Sequence, residues 1–232
     1  MAGRLFLLFL LVATAAGVYA VRTGLVAIPD HWNPWAPLRI DEPLHWLTRY
    51  KLERAVEDDA VCLAVLDQAE RRFERVSDRE TAPGCGYDNA VRISRTRASV
   101  GEAFTLSCRS AVALALWERH VVEPAARRHY GASVARLEHF GSYACRNVYG
   151  RKEGRLSRHA TADALDVSGF VLEGGRRISV ARDWGSNDAD GAFLREVHEG
   201  ACRVFDSVLG PEYNTAHRDH FHLDRGGWRS CR

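Results

Sequence analysis

The sequence predicts an α+β fold, with a small, mainly antiparallel sheet flanked by helices and stapled by disulfides. Apolar residues recur at helical spacing after Asp190, whereas alternating patterns over Ala164–Leu172 and Arg177–Ala181 flank a Glu173-Gly174-Gly175 turn. Six cysteines follow an apolar amino-terminal segment, which is typical of disulfide-bonded exported proteins. A chain of 232 residues can form one domain with short appendages.

The amino terminus is a membrane-directed segment. It is uncharged from Leu5 to Val21, between Arg4 and Arg22. A signal peptide cleaved after Ala20, followed by secretion, is one interpretation. We predict instead that residues 1–22 are a retained membrane anchor, and that the remainder lies in the periplasm or otherwise outside the cytoplasmic membrane.

The next stretch differs in composition from the rest of the chain. Residues 23–46 contain four of the 7 prolines and three of the 6 tryptophans. Proline at this density disfavours regular helices and strands, so we predict a tether whose aromatic rings contact either the membrane interface or the domain. The domain itself is predicted to span residues 47–232.

Helices and strands follow from apolar spacing and from capping residues. The predicted helices run from Asp58 to about Phe73, from Ser107 with a kink or restart at Pro124, and from Asp190 to Gly210. The predicted strands are Ala135–Cys145, Ala164–Leu172, Arg177–Ala181 and His220–Leu223.

Disulfide bonds are expected from the even number of cysteines. No Cys-x-x-Cys pair is present, which disfavours a cysteine zinc site. Six cysteines allow 15 pairings, and spacing does not select among them. We predict sequential pairing, which gives Cys62–Cys85, Cys108–Cys145 and Cys202–Cys231.

Charge excludes one class of partner. There are 32 Lys+Arg against 30 Asp+Glu, a net charge of +2. General binding to nucleic acid needs a clustered basic surplus, so no nucleic-acid partner is expected.

Four of the 10 histidines form a candidate site. His159 precedes Asp166 by seven positions, and His217, His220 and His222 lie close together near the carboxyl terminus. In a strand, His220 and His222 point to the same face. Two imidazoles and a carboxylate with an open fourth position are what a catalytic zinc ion requires, although a histidine-rich tail is also consistent with a solvated surface. The other six are interpreted as surface or tethering residues: His31, His45, His120, His129, His139 and His198.

The pattern Ser157-x-His159-x6-Asp166 followed by His-x-His resembles zinc peptidases, a group that includes D-Ala-D-Ala carboxypeptidases, lysostaphin-type enzymes and the hedgehog amino-terminal domain. The resemblance implies a similar fold and Zn²⁺ ligands at His159, Asp166 and His222. The spacing His217-x-x-His220-x-His222 looks like the penicillin-insensitive murein endopeptidases, in which the earlier histidines assist catalysis.

A second resemblance covers more of the chain, from about Leu38 to Arg232. Three stretches are similar to the bacterial extensin-like carboxy-terminal domain family, namely Gly141-Ser-Tyr-Ala-Cys-Arg146, Ala164-Leu-Asp-Val167 and Asp219-His-Phe-His-Leu-Asp224.

The sequence departs from the carboxypeptidase pattern at two positions. Ala162 stands where a glycine is usual, and Asp219-x-x-His222 replaces the Glu-x-x-His that supplies the general base. We therefore rank His220 first as the base, followed by His217 and Asp219. Arg146 resembles the substrate-binding arginine of that group, and it is expected to hold a carboxylate or an oxyanion, with an ordinary surface salt bridge as the alternative.

These resemblances imply an exported zinc-dependent peptidase that acts on stem or cross-link peptides of peptidoglycan. Two alternatives stay open. One is a non-catalytic wall-binding or scaffolding module that keeps a structural zinc site, and the other is a zinc hydrolase of a different exported substrate, such as a protein.

Overall fold

A computed structural model describes residues 2–232 and has one large sheet at its centre. The strands are β1 (Arg72–Val76), β2 (Arg79–Ala82), β3 (Cys85–Tyr87), β4 (Ala90–Arg95), β5 (Ser99–Ser107), β6 (Val134–Gly141), β7 (Ala164–Leu172), β8 (Arg177–Ser179), β9 (Ser207–Leu209), β10 (Phe221–Asp224) and β11 (Ser230–Cys231). Nine strands form the main sheet in the order β1-β4-β5-β6-β7-β10-β9-β11, with β8 also paired to β7. Only the β5–β6 and β9–β11 pairs are parallel. The predicted α+β fold is confirmed, and β2 and β3 form a separate hairpin.

Helices precede, interrupt and cover the sheet. They are α1 (Ala2–Arg22), α2 (Thr48–Ala55), α3 (Asp59–Leu66), α4 (Cys108–Trp117), α5 (Glu123–Tyr130), α6 (Val180–Asp183) and α7 (Ala189–Ala201). A π-helical turn, Glu118–Val122, joins α4 to α5. Pro124 lies in the first turn of α5, directly after this π-helical turn, where the sequence predicts a kink or restart of the helix.

The core lies where α4 and α7 pack on the sheet. The indole Nε1 of Trp117 in α4 donates to the carbonyl of Val197 in α7 at 2.8 Å. Phe170 of β7 packs edge to face against Phe193 of α7, with ring centroids 5.1 Å apart. Burying aromatic side chains of this size contributes about 1.5–3 kcal/mol each. This packing covers β7, which lies in the middle of the sheet between β6 and β10.

Two of the predicted helices are too long. The first ends at Leu66, and Phe73 lies in β1 opposite Ile93. The third ends at Ala201, and Val208 lies in β9 opposite Leu223. Spacings of four and seven residues fit a helix, but sheet pairing takes precedence over that local pattern.

Two of the three predicted disulfides are wrong. The bonds join Cys62 to Cys108, Cys85 to Cys145, and Cys202 to Cys231, so only the last was predicted correctly. Sequential pairing fails because Cys62 in α3 packs against the start of α4, whereas β3 lies beside the segment that follows β6.

The amino-terminal part has two sections. Within residues 2–232, α1 is the one helix long and apolar enough to cross a membrane, and none of its residues is buried. The predicted tether, by contrast, is partly docked, since Leu38 and Ile40 are buried in the core. The ammonium group of Lys51 donates to the carbonyl of Asp30 at 2.6 Å, which fixes this segment to α2.

Candidate metal centre and cleft

Three of the predicted site residues form a buried cluster. Asp166 of β7 and His222 of β10 are directly opposite in the antiparallel register, and Oδ1 of Asp166 lies 2.9 Å from Nδ1 of His222. His159 lies in a 3₁₀ turn, Arg158–Thr161, before β7. Its Nε2 is 3.1 Å from Oδ2 of Asp166 and 3.2 Å from Nδ1 of His222. One ligand atom from each residue lies within 4.8 Å of the other two, so the cluster can hold a metal ion.

The turn that carries His159 ends in an unusual backbone conformation. Ala162 has φ +54° and ψ +26°, in the left-handed region where glycine is favoured. The zinc-peptidase pattern has glycine at this position, so alanine here adopts the conformation that glycine favours. The departure from the pattern leaves the turn intact.

Asp163, the next residue, fastens this turn to the start of α4. Its carboxylate is fully buried and accepts hydrogen bonds from Ser107 at 2.6 Å and from Arg109 at 2.6 and 2.7 Å. Thr161 donates to the same carboxylate at 2.6 Å. A buried carboxylate with this many donors fixes the path of the chain between His159 and β7.

Hydrogen bonds on the far side of each imidazole determine which nitrogen faces the cluster. Nδ1 of His159 donates to the carbonyl of Ser142, which leaves Nε2 directed at Asp166 and His222. Nε2 of His222 donates to Asp224 at 3.1 Å, which leaves Nδ1 for the cluster. Outer hydrogen bonds of this kind orient histidine ligands in metal sites.

The cluster favours bound positive charge. Burial opposes ionisation of Asp166, but hydrogen bonds and positive charge from His159 and His222 hold the pKa of its carboxyl well below the usual range. Burial also lowers the pKa of His222, but hydrogen bonds to Asp166 and Asp224 raise it to about 9. Two carboxylates facing one imidazole therefore create a strongly negative environment.

The candidate bases lie beside this cluster. Nε2 of His220 is 3.6 Å from Oδ1 of Asp166, and its Nδ1 donates to Asp219 at 2.9 Å. Asp219 is thus a hydrogen-bond partner of His220. The ring of His217 lies 5.3 Å from that of His220, between centroids, and its Nδ1 donates to Asn214 at 2.8 Å.

His217 is held in its neutral form. Burial lowers its pKa to about 4, and the positive charges of His222 and His220 add to this effect. A neutral imidazole whose Nδ1 donates to Asn214 presents Nε2 as a hydrogen-bond acceptor.

A cleft of about 610 Å³ opens above the cluster, and Arg146 is one of the residues that line it. Among residues 2–232, no carboxylate lies within ion-pair distance of Arg146, so the expected alternative of a surface salt bridge is not seen. Arg155 and Arg158 also line the cleft. The acidic residues of its wall are Asp166 and Asp224, both of which are engaged by histidines.

None of the other six histidines lines this cleft. His120 and His139 contact backbone carbonyls, His129 pairs with Glu196, and His198 packs against Phe221. His31 and His45 lie together in the amino-terminal segment, with ring centroids 5.9 Å apart.

Residues 60–232 match the family model described as the extensin-like protein C-terminus. The chain belongs to this family. The extensin-like resemblance seen in the sequence is therefore confirmed, although the match begins in α3 and not at about Leu38. Comparison with curated proteins and with solved structures gave no match.

Four contributors to the site of this extensin-like domain were not assigned a role from the sequence. Asp224 follows His222 at a spacing of two, so strand alternation was an available signal. Asn214 and Asp163 gave no comparable signal. Asn214 contacts His217 within an irregular turn, and Asp163 contacts Arg109, which is distant in sequence. Ser142 contributes a backbone carbonyl, which any residue carries.

Proposed function

We propose that this extensin-like domain is an exported zinc-dependent peptidase that hydrolyses amide bonds in peptidoglycan peptides. The observation that carries the proposal is the buried cluster of His159, Asp166 and His222 at the floor of an open cleft. Two more histidines and an unpaired arginine face the same cleft, which supports catalysis over a purely structural role.

The donor set fits zinc. Tetrahedral zinc, with bonds of about 2.0–2.1 Å, places neighbouring ligand atoms about 3.3 Å apart. The two imidazole donor atoms are 3.2 Å apart, and each lies close to one carboxylate oxygen of Asp166, at 2.9 Å from Oδ1 for His222 and 3.1 Å from Oδ2 for His159. Two imidazoles and one carboxylate are also a common catalytic zinc ligand set, in which the fourth position takes water or substrate.

His159 would bind the ion through Nε2, His222 through Nδ1 and Asp166 through its carboxylate. When bound, zinc supplies Lewis acidity, which lowers the pKa of a water molecule towards about 7 and polarises the scissile carbonyl. The outer partners Ser142 and Asp224 hold the two imidazoles in the required tautomers.

The remaining groups have roles in proton transfer and charge stabilisation. His220 presents Nε2 beside the cluster because Asp219 holds its Nδ1 proton. It accepts a proton from water as oxygen attacks the carbonyl carbon, and returns it to the nitrogen as the C–N bond breaks. Arg146 is placed to hold a substrate carboxylate or the developing oxyanion. His217 is the second candidate for the base.

The walls of the cleft support an acidic peptide as substrate. Residues 146–157 form a short hairpin, with Arg146 on its first arm and Arg155 on its second. Both arginines line the cleft, as does Arg158. Peptidoglycan stem peptides carry free carboxylates, which guanidinium groups bind well. The resemblance to murein endopeptidases supports the same substrate class.

Export supports this location of the substrate. Helix α1 has the length and composition of a membrane span or a signal sequence. We propose that it anchors the domain on the outer side of the cytoplasmic membrane, because the chain continues directly into a docked segment. Three disulfides fit an oxidising compartment.

Digestion of purified sacculi tests the proposal. The full chain, loaded with zinc, is expected to release muropeptides, and a chelator should abolish release until zinc is restored. His129→Gln provides a matched control, since this histidine lies outside the cleft. Binding to sacculi without release of any fragment, at full zinc occupancy, would refute the peptidase.

One observation favours a non-catalytic wall-binding module that keeps structural zinc. The only carboxylate at the position of the usual Glu base, Asp219, is hydrogen-bonded to His220 instead of facing the cluster. This module should bind sacculi equally well with or without His220, whereas the peptidase loses activity in His220→Ala.

A further inference from the structure

Two tryptophans in the segment after α1 are exposed although they lie in ordered structure. Trp32 is 54% exposed and Trp46 is 70% exposed, and their ring centroids are 6.2 Å apart. Trp32 ends a 3₁₀ turn, Asp30–Trp32. We call these two rings the tryptophan patch. Their packing against each other leaves most of their surface without a protein partner.

The patch is held firmly by the domain. The ammonium group of Lys51, which is buried in α2, donates to the carbonyl of Asp30 at 2.6 Å. On the other side, the ring of His45 accepts a hydrogen bond from the N–H of Leu47 at 3.2 Å. The exposed rings therefore move with the domain, and a contact made by them fixes the domain's position.

The patch is close in sequence to the candidate membrane span. Trp32 lies ten positions after Arg22, and a fully extended chain of this length reaches at most about 36 Å. Leu25 and Val26, just after the helix, are 74% and 50% exposed, so the apolar surface continues towards the patch. The headgroup layer is only about 5–8 Å thick on each side, well within this reach.

Tryptophan has a specific affinity for this layer. Its ring is amphipathic and accumulates where hydrocarbon meets water. We infer that the tryptophan patch seats the domain on the surface of the bilayer that holds α1. The segment predicted as a tether is then a second membrane contact, and the cleft stays close to the membrane.

Fluorescence quenching in proteoliposomes tests this inference without any assay of activity. The full chain is reconstituted in phosphatidylcholine vesicles, with and without acyl chains brominated near the headgroup. Helix α1 contains no tryptophan, so quenching arises from the domain alone. Wild-type fluorescence is expected to fall in brominated vesicles, because bromine quenches an indole only at close contact.

Two variants locate the contact. Trp32→Phe/Trp46→Phe keeps two aromatic rings but removes the reporters, so most of the quenching should disappear. Trp228→Phe removes a tryptophan that is 88% exposed at the cleft, and should keep the quenching. Absence of quenching in the wild type, or quenching that disappears only with Trp228, would overturn the inference.

Discussion

Asp224 accepts a hydrogen bond from Nε2 of His222 at 3.1 Å, on the side of the imidazole opposite Asp166. The two residues lie two positions apart on β10, so strand alternation puts both on the face that carries the cluster. Phe221 and Leu223 point the other way and are fully buried. Packing of the apolar face therefore determines the orientation of the polar one.

Asp224→Asn tests this partnership. The substitution keeps the size of the side chain but removes the charge that orients and polarises His222. We expect zinc affinity to fall by roughly 10–100-fold, the usual effect of losing an outer carboxylate partner. Competition with a chromophoric chelator measures the change. Asp219→Asn is the matched control, because its carboxylate contacts His220, and its zinc affinity should stay near that of the wild type.

Substitutions at the histidines separate metal binding from proton transfer. His159→Ala or His222→Ala should abolish stoichiometric zinc binding, because two donors alone cannot complete the site. His220→Ala should retain zinc but lower turnover by roughly 10²–10⁴-fold, the range for a general base. Metal analysis and muropeptide release are measured together. Full zinc content in His159→Ala contradicts the ligand assignment, and undiminished turnover in His220→Ala moves the base to His217 or Asp219.

The arginines of the cleft should select for substrate charge. Arg155→Gln/Arg158→Gln is expected to raise KM for an acidic peptide about fivefold, equivalent to about 1 kcal/mol, with little change in kcat. For the same peptide with amidated carboxylates, KM should be the same in the variant and in the wild type. Lys152→Gln is the control, since this lysine lies on the same loop outside the cleft. An equal effect on both peptides argues against carboxylate recognition.

The sequence predicted β7 because its apolar pattern is clear. Apolar residues line its buried face, and the Gly174-Gly175 turn marks the start of its hairpin with β8. The region from Arg72 to Ser107, by contrast, contains five strands that were not predicted. In β1 the polar and charged residues are exposed on both faces, so no period of two is visible. Tertiary pairing with β4 holds this strand in place.

The sequence also predicted the central residues of the site. Spacing and resemblance indicated His159, Asp166 and His222, and these three side chains do lie together in the structure. The supporting contacts come from distant parts of the chain, such as Arg109, which is 54 positions from Asp163. A sequence shows which groups carry chemistry, but contacts at this separation depend on the complete fold.

Ala162 provides a test of the turn that carries His159. Left-handed backbone costs a non-glycine residue about 1–2 kcal/mol, and the burial of one methyl group returns about 0.8 kcal/mol. Ala162→Gly should therefore change the free energy of unfolding by less than about 1 kcal/mol and leave zinc binding intact. Ala162→Val should lower the free energy of unfolding by about 2 kcal/mol or more. A β-branched residue disfavours left-handed backbone, and the buried site has no room for the two added methyl groups. Urea unfolding of the two variants compares them directly, and equal stabilities would show that the backbone at this position is not left-handed.

The disulfide between Cys85 and Cys145 should matter for the metal site as well as for stability. It joins β3 to the segment that contains Ser142 and Ala144, both of which contact His159. The carbonyl of Ser142 accepts a hydrogen bond from the His159 ring, and the N–H of Ala144 donates to the His159 carbonyl at 3.0 Å. Cys85→Ser/Cys145→Ser is expected to lower the free energy of unfolding by about 2–4 kcal/mol and to weaken zinc binding. Cys202→Ser/Cys231→Ser, which frees β11 from the end of α7 and leaves the contacts of Ser142 and Ala144 in place, should have a similar cost in stability but a smaller effect on zinc. Peptide mapping without reduction first checks the connectivity, and a Cys62–Cys85 peptide in the native protein would contradict the pairing on which this prediction rests.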